Sequence, residues 1–100
     1  MPNPYGRLGG PAHQQKVADI VSDIELRNLK WKTEFYVKGP GVRRFADVVA
    51  IDPATGKVLE IYQVGRLTKA GDPVARELRA IADIESVLGT KVRYMPYFTP

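Results

Sequence analysis

Hydrophobic residues recur along this chain with two different periods, and each change of period marks a new element. His13, Val17, Ile20, Val21 and Ile24 follow the i, i+4, i+7, i+8 spacing of one buried helical stripe. The helical pattern starts at Ala12, with Pro11 at the first turn, where its missing N–H is not needed, and fades between Arg27 and Leu29. From Trp31 to Lys38 polar and apolar residues alternate, with aromatic and β-branched types, which predicts a strand ended by Gly39, Pro40 and Gly41. Arg44 to Ile51 is a second strand, and its nearly unbroken apolar run predicts a central strand covered on both faces by helices.

Asp52 to Lys57 is a turn: Pro53 presets φ for a type I turn, and Gly56 supplies the left-handed position after it. Val58 to Val64 returns as the third strand, so residues 44–64 form a hairpin. A polar loop from Gly65 leads to Asp72 as N-cap and Pro73 at N1. Val74, Leu78, Ile81, Ile84 and Leu88 then mark an amphipathic helix that stops at Gly89. Lys91 to Tyr97 is the last strand, with Pro96 at an edge or beyond the pairing. The order is α-β-β-β-α-β, an α/β (α+β) class with a mixed sheet flanked by two helices.

The length of 100 residues holds one domain, placed at 12–97, behind an irregular leader at 1–11 that carries three prolines and three glycines. Apolar residues make up 44% and charged residues 26%, a globular balance. A core this small makes any polar group inside it expensive. With no cysteine, disulfides, thiolate metal sites and thiol nucleophiles are excluded, and a single histidine argues against zinc. No apolar run reaches the roughly 20 residues that span a bilayer. Met1 to Gly6 lack the charged and apolar blocks of a signal peptide, so the expected location is cytoplasmic.

The net charge of +4 favours polyanionic partners. Arg27, Lys30, Lys32, Lys38, Arg43 and Arg44 lie close together with Glu34 as the only acid among them, a stretch that reads equally well as a solvated face. Trp31 and Tyr36 among these lysines could stack on bases, although small cores also need aromatics.

Asp47 is the anomaly. A carboxylate in an apolar run costs several kcal/mol unless it is paired or holds a cation. A salt bridge to Arg43 or Arg44 is the plain alternative to a site. Gln63 interrupts the partner strand, and counting outward from the turn brings it near Asp47, where it could instead satisfy neighbouring backbone. Two polar interruptions meeting on adjacent strands favour a site.

The order α-β-β-β-α-β, with an acid entering the second strand and a polar residue late in the third, resembles the restriction-endonuclease-like core of the PD-(D/E)XK nucleases over residues 11–97. More specifically, Gly9-Gly-Pro-Ala-His-Gln14, Gln63-Val-Gly-Arg66 and Gly71-Asp-Pro-Val-Ala-Arg-Glu77 look like small nuclease domains at the C-termini of bacterial polymorphic toxins. The resemblance implies that Asp47 is the metal-binding acid, that Gln63 stands where the family glutamate holds Mg²⁺, and that Gly65 stands where the family lysine assists the attacking water. Glutamine brings no charge and glycine no ammonium. Arg66, Lys69 or His13 are the candidates to replace that lysine. In a second register Glu60 is the family acid and Tyr62 takes the lysine's place. Glu60 and Gln63 are three apart and so face opposite sides of a regular strand. Gln63 is preferred, because Glu60 near the turn is easily a solvent-facing charge.

Glu34 could supply the second anion, since family members often add a carboxylate from the first helix or first strand; the alternative is a surface acid among lysines. His13 has the one side chain whose unperturbed pKa suits proton transfer near neutrality, and would lie near the metal if the resemblance holds; otherwise it is a satisfied core histidine. Arg76 and Glu77 could bind phosphate at a helix N-terminus or orient Gln63 or Arg66. The resulting expectation is a PD-(D/E)XK-type endonuclease using Mg²⁺ or Mn²⁺, acting on DNA ahead of RNA. Its catalytic set is Asp47, Gln63, Glu34, His13 and Arg66; Asp47, Gln63 and Glu34 hold the metal; Arg44, Lys69, Arg76 and Lys38 hold nucleic acid. A toxin-type domain would imply an immunity protein as partner, and a stand-alone intracellular role and a homodimer stay open. The rivals are a catalytically inactive nucleic-acid-binding domain on the same fold and a purely structural module.

Overall fold

In the computed structural model, which describes residues 10–97, the chain forms α1 (Pro11–Leu26), β1 (Lys30–Gly39), β2 (Val42–Ile51), β3 (Val58–Gly65), α2 (Ala75–Leu88) and β4 (Val92–Pro96). The expected order therefore holds. Residues 1–9 of the expected leader lie outside the described residues, and Pro11 already opens α1 behind the extended Gly10.

The four strands lie in the order β1-β2-β3-β4, with β1–β2 and β2–β3 antiparallel and β3–β4 parallel. The α2 crossover makes that last pairing possible, because parallel neighbours need a long connection. β2 is interior, and its apolar run is explained by a helix on each side. Ile20 and Ile24 of α1 pack on Val48, Ala50, Tyr62 and Val64. Ile84 of α2 packs on Val37, Ala46, Val49, Ile61 and Val92. Val48 and Val49 thus serve opposite cores, as do Ile61 and Tyr62, which is the alternation of a pleated strand. Each fully buried aliphatic side chain stabilises by roughly 1.5–3 kcal/mol.

Two expectations shift at α2. The helix starts at Ala75 with Val74 as its N-cap, not at Pro73 after an Asp72 cap. Asp72 is held in the preceding turn instead: the Thr68 N–H donates to its carbonyl at 2.7 Å, and its own N–H donates to Thr68 Oγ1 at 3.3 Å. Leu78 is 49% exposed, because the face turned to the sheet carries Ala80 and Ile84.

Strand alternation breaks at the β2–β3 register shift beside Ala50 and Ile51, and again within the β1–β2 ribbon. Thr33 pairs with Val48 and Phe35 pairs with Ala46. Val48 lies under α1, while Ala46 and Phe35 lie under α2. A regular ribbon would keep residues two apart on one face, so the β1–β2 ribbon turns over between these pairs. Glu34, with φ 51, stands at the turnover. Positive φ in a residue with a Cβ is strained, and such strain gathers at functional positions.

Candidate functional site

The β2–β3 ladder ends at the Val48–Tyr62 pair. One step further Asp47 and Gln63 stand opposite each other, and their side chains replace the missing backbone bonds. Gln63 Oε1 accepts the Asp47 N–H at 2.7 Å. Asp47 Oδ2 accepts the Val64 N–H at 2.7 Å. Backbone donors in a buried strand must find partners, and this reciprocal stitch satisfies two of them while fixing both side chains. Gln63 is buried at 5% exposure. The two polar interruptions therefore do meet. The plain reading of Gln63, an amide that satisfies neighbouring backbone, also describes what its oxygen does.

Asp47 has a second oxygen, and among the described residues no arginine holds it. Arg44 turns to α2, where it bonds Asp83 at 2.8 and 2.9 Å. Oδ1 of Asp47 instead faces His13 Nε2 from the first turn of α1 at 3.6 Å, both side chains being 14% exposed. The His13 ring stands edge-on to Tyr97 at 5.7 Å. Its contact with Asp47 raises the imidazole pKa against the opposing effect of burial, and the charges of Asp47, Glu77 and Glu34 add to the rise.

The strand register extends this point into a row across the sheet. Glu34 stands across from Asp47 between the Thr33–Val48 and Phe35–Ala46 pairs, and Gln63 pairs with Tyr94 on β4. From α2, Glu77 feels the same centre: burial pushes its carboxyl pKa up, the charge of Asp47 adds to this, and Arg76, His13 and Arg44 oppose it. Burial first, then the charges of Glu77, Tyr97 and Asp47, push the Tyr94 hydroxyl up to about 12. It stays protonated and donates to the Arg66 carbonyl at 2.6 Å. Strands and helices thus gather Glu34, Asp47, Gln63, His13, Glu77 and Tyr94 around one interruption in the ladder.

The remaining expected residues distribute differently. Arg66, Lys69 and Arg76 are exposed, the first two in the β3–α2 loop. Lys38 is exposed near the tip of the β1–β2 ribbon. Glu60 belongs elsewhere: it pairs with Arg27 at 2.6 Å and with Arg93 at 3.5 Å, and Tyr62 donates to it. Arg27 first, with help from Tyr62 and Arg93, holds its carboxyl down at about 2 against burial. Gln63, not Glu60, is the residue across from Asp47.

At Gly65 more is missing than an ammonium group. A Cβ built there would collide with the Tyr94 hydroxyl and come within 3.1 Å of Cζ, so the tyrosine ring fills the space a side chain would need. Tyr94 and Tyr97 escaped sequence reading, because only the β4 register brings them here. Glu77 was readable only as a phosphate-binding or orienting residue, yet it precedes Ala80 and Ile81 by three and four positions and so shares their inner face.

The donor set at Asp47 is oxygen-rich, which suits a hard divalent ion. Among the described residues, no three His, Cys, Asp or Glu side chains converge into a ready metal-binding group. No helix of the described residues is long and apolar enough to cross a membrane. Compared with known proteins, the chain matches no family model, no curated protein and no solved structure.

Proposed function

We propose that this domain hydrolyses phosphodiester bonds in nucleic acid as a metal-dependent endonuclease of the PD-(D/E)XK kind, acting on DNA in preference to RNA. One observation carries the reading. Glu34, Asp47 and Gln63, from three successive strands, share one row at a break in the ladder, with His13 and Glu77 beside it. Asp47 in a small core is expensive, and a role for its second oxygen explains why it is kept.

Mg²⁺ retains waters and takes one or two carboxylates plus phosphate oxygens, so it does not need a closed protein cage. Asp47 Oδ1 would be the main ligand, with Glu34 as the second anion and the Gln63 amide oxygen as a neutral donor. When bound, such an ion lowers the pKa of a water and polarises the phosphate. The Val64 N–H fixes the Asp47 carboxylate. His13 Nε2 lies 3.6 Å from Oδ1 and is the group placed to accept a proton in the lysine's stead. Arg76 and Lys69 would attract the backbone, with affinity that falls as salt rises.

The test is a cleavage gel with supercoiled DNA, single-stranded DNA and RNA, in Mg²⁺, Mn²⁺ or chelator. Cutting that needs the divalent ion and is lost in a folded Asp47→Ala variant is the expected result. Cutting that survives chelation or the substitution defeats the proposal. A second reading, a nucleic-acid-binding domain without catalysis, is favoured by Tyr94 filling the space beside Gly65. It predicts salt-dependent binding that persists in Asp47→Asn, with no cleavage in Mn²⁺.

A further inference from the structure

β1 is an outer strand of the sheet, bonded to β2 along one side. Every second residue of such a strand turns its backbone N–H and C=O outward, where a further strand could pair with them. Among the described residues no strand does so. The first four residues, Lys30 to Thr33, are all exposed. Residues directly opposite each other on antiparallel strands share a face, so the register fixes where these four side chains go. Lys30 and Lys32 pair with Ile51 and Val49, which lie on the α2 side. Trp31 and Thr33 pair with Ala50 and Val48, which lie on the α1 side.

Among the described residues neither lysine makes an ion pair. Asp52, next to Ile51, is committed to its own turn, where it accepts the Ala54 N–H at 2.8 Å. Trp31 is 39% exposed and lines a surface depression at the entry to β1 together with Glu25, Asn28, Leu29 and Lys30. Glu25 makes the tryptophan side unfavourable for an acid, whereas the other side carries two free cations. Glu34, the only acid in β1, ends the run at the turnover. A nucleic-acid strand lying on one face would meet the lysines or the tryptophan, not both. An extended polypeptide along the edge meets both faces, because its own side chains alternate in the same way. A second copy of this chain is disfavoured, since it would bring its own lysines and a net charge of +4 to the same edge.

We propose that the outer edge of β1 over residues 30–33 takes up an extended segment of a partner protein, in which acidic residues facing Lys30 and Lys32 alternate with apolar residues facing Trp31. Backbone pairing supplies the attachment and the alternation supplies the selection. The assignment rests on the edge itself and not on the nuclease reading. Four strand residues span about 13 Å, so the contact is short. Charge therefore carries much of the affinity, which should fall as salt rises.

Trp31 is the only tryptophan of the chain, so its emission reports on this edge directly. The probe is a labelled, end-capped peptide of about ten residues in which Glu alternates with Val. Its control has the same composition, with the glutamates and valines in two blocks. By fluorescence anisotropy the alternating peptide should bind saturably and about tenfold tighter than the block peptide. Trp31 emission should shift to the blue, and hydrogen exchange should slow at the backbone amides of residues 30–33. Lys30→Glu with Lys32→Glu should weaken binding by about tenfold or more while keeping the circular dichroism of the unaltered chain. Lys91→Glu, just ahead of β4 at the opposite edge of the sheet, should leave binding unchanged.

Absence of saturable binding up to about 1 mM peptide overturns the proposal. Equal affinity for the two peptides does so as well, by reducing the contact to charge alone. Binding that leaves both the Trp31 emission and the amides of residues 30–33 unchanged puts the peptide elsewhere and is equally fatal. Self-association that protects the same amides gives the edge to a second copy. A single-stranded oligonucleotide of about 12 nucleotides that displaces the peptide and perturbs Trp31 gives it to nucleic acid. Either result overturns the assignment to a protein partner.

Discussion

Asp47 shows how one residue can be both structural and chemical. Its Oδ2 completes a strand pairing, while Oδ1 is turned to His13. The imidazole gains its raised pKa chiefly from that contact, and Glu77 and Glu34 add their charge from the helix and strand packed around it. A group whose folded pKa lies above its unfolded value stabilises the fold fully below the unfolded value, here about 6.5. That stabilisation is lost as pH rises through the higher folded value. His13→Gln should therefore lower the urea midpoint at pH ~5.5 and change it little at pH ~8.5, as a denaturation series at both values would reveal. If His13 accepts the proton in catalysis, activity runs the other way and rises with pH over the same range. Asp47 and Gln63 were legible because each breaks an apolar strand. Backbone as a partner was legible for Gln63 but not for Asp47, whose Oδ2 takes the Val64 N–H, since a backbone N–H on a neighbouring strand leaves no trace in local pattern.

The β2–β3 hairpin separates two polar centres by strand position alone. Glu60, near the turn, is tied to Arg27 from the end of α1 and to Arg93 from β4. Gln63, three residues later, meets Asp47. Glu60→Gln should lower thermal stability at pH 7 and leave cleavage by the folded protein unchanged, whereas Gln63→Ala should impair cleavage. The Glu60 contribution is present above its ordinary carboxylate pKa and disappears as pH falls towards about 2. The stability gap between the two proteins should accordingly close in acid, which calorimetry across pH 2–7 can follow. At the same scale, the docking of α2 explains why Leu78 is exposed. The Leu67–Pro73 bridge and the Thr68–Asp72 turn delay the helix to Ala75. The helix then docks on Ala80 and Ile84, with Glu77 inward and Leu78 outward. Apolar spacing proposes a stripe, but docking chooses which edge of it is buried.

For the whole molecule, the sheet is a shared wall between two small cores, one under α1 and one under α2. Ile24 and Ile84 are fully buried on its two sides. Either one changed to Ala should cost about 2–5 kcal/mol. The two sites share no partner, so their effects should add. Against a total stability of roughly 5–15 kcal/mol, the double variant should lose most of its margin, and its urea midpoint followed by circular dichroism should fall by about the sum of the two single shifts. The candidate site lies where both helices reach the same ladder break, so unfolding either core should remove it.

The sequence by itself determined the number, type and order of the elements, the interior position of β2 and the two polar interruptions. These follow from periodicity and turn chemistry, which act over a few neighbouring residues. Only the tertiary structure decided that the ribbon turns over at Glu34, that Tyr94 occupies the space at Gly65, and that His13 faces the Asp47 carboxylate with the charge of Glu77 near enough to act on both. Those outcomes depend on strand register and helix docking, which are set by contacts between residues far apart in the chain.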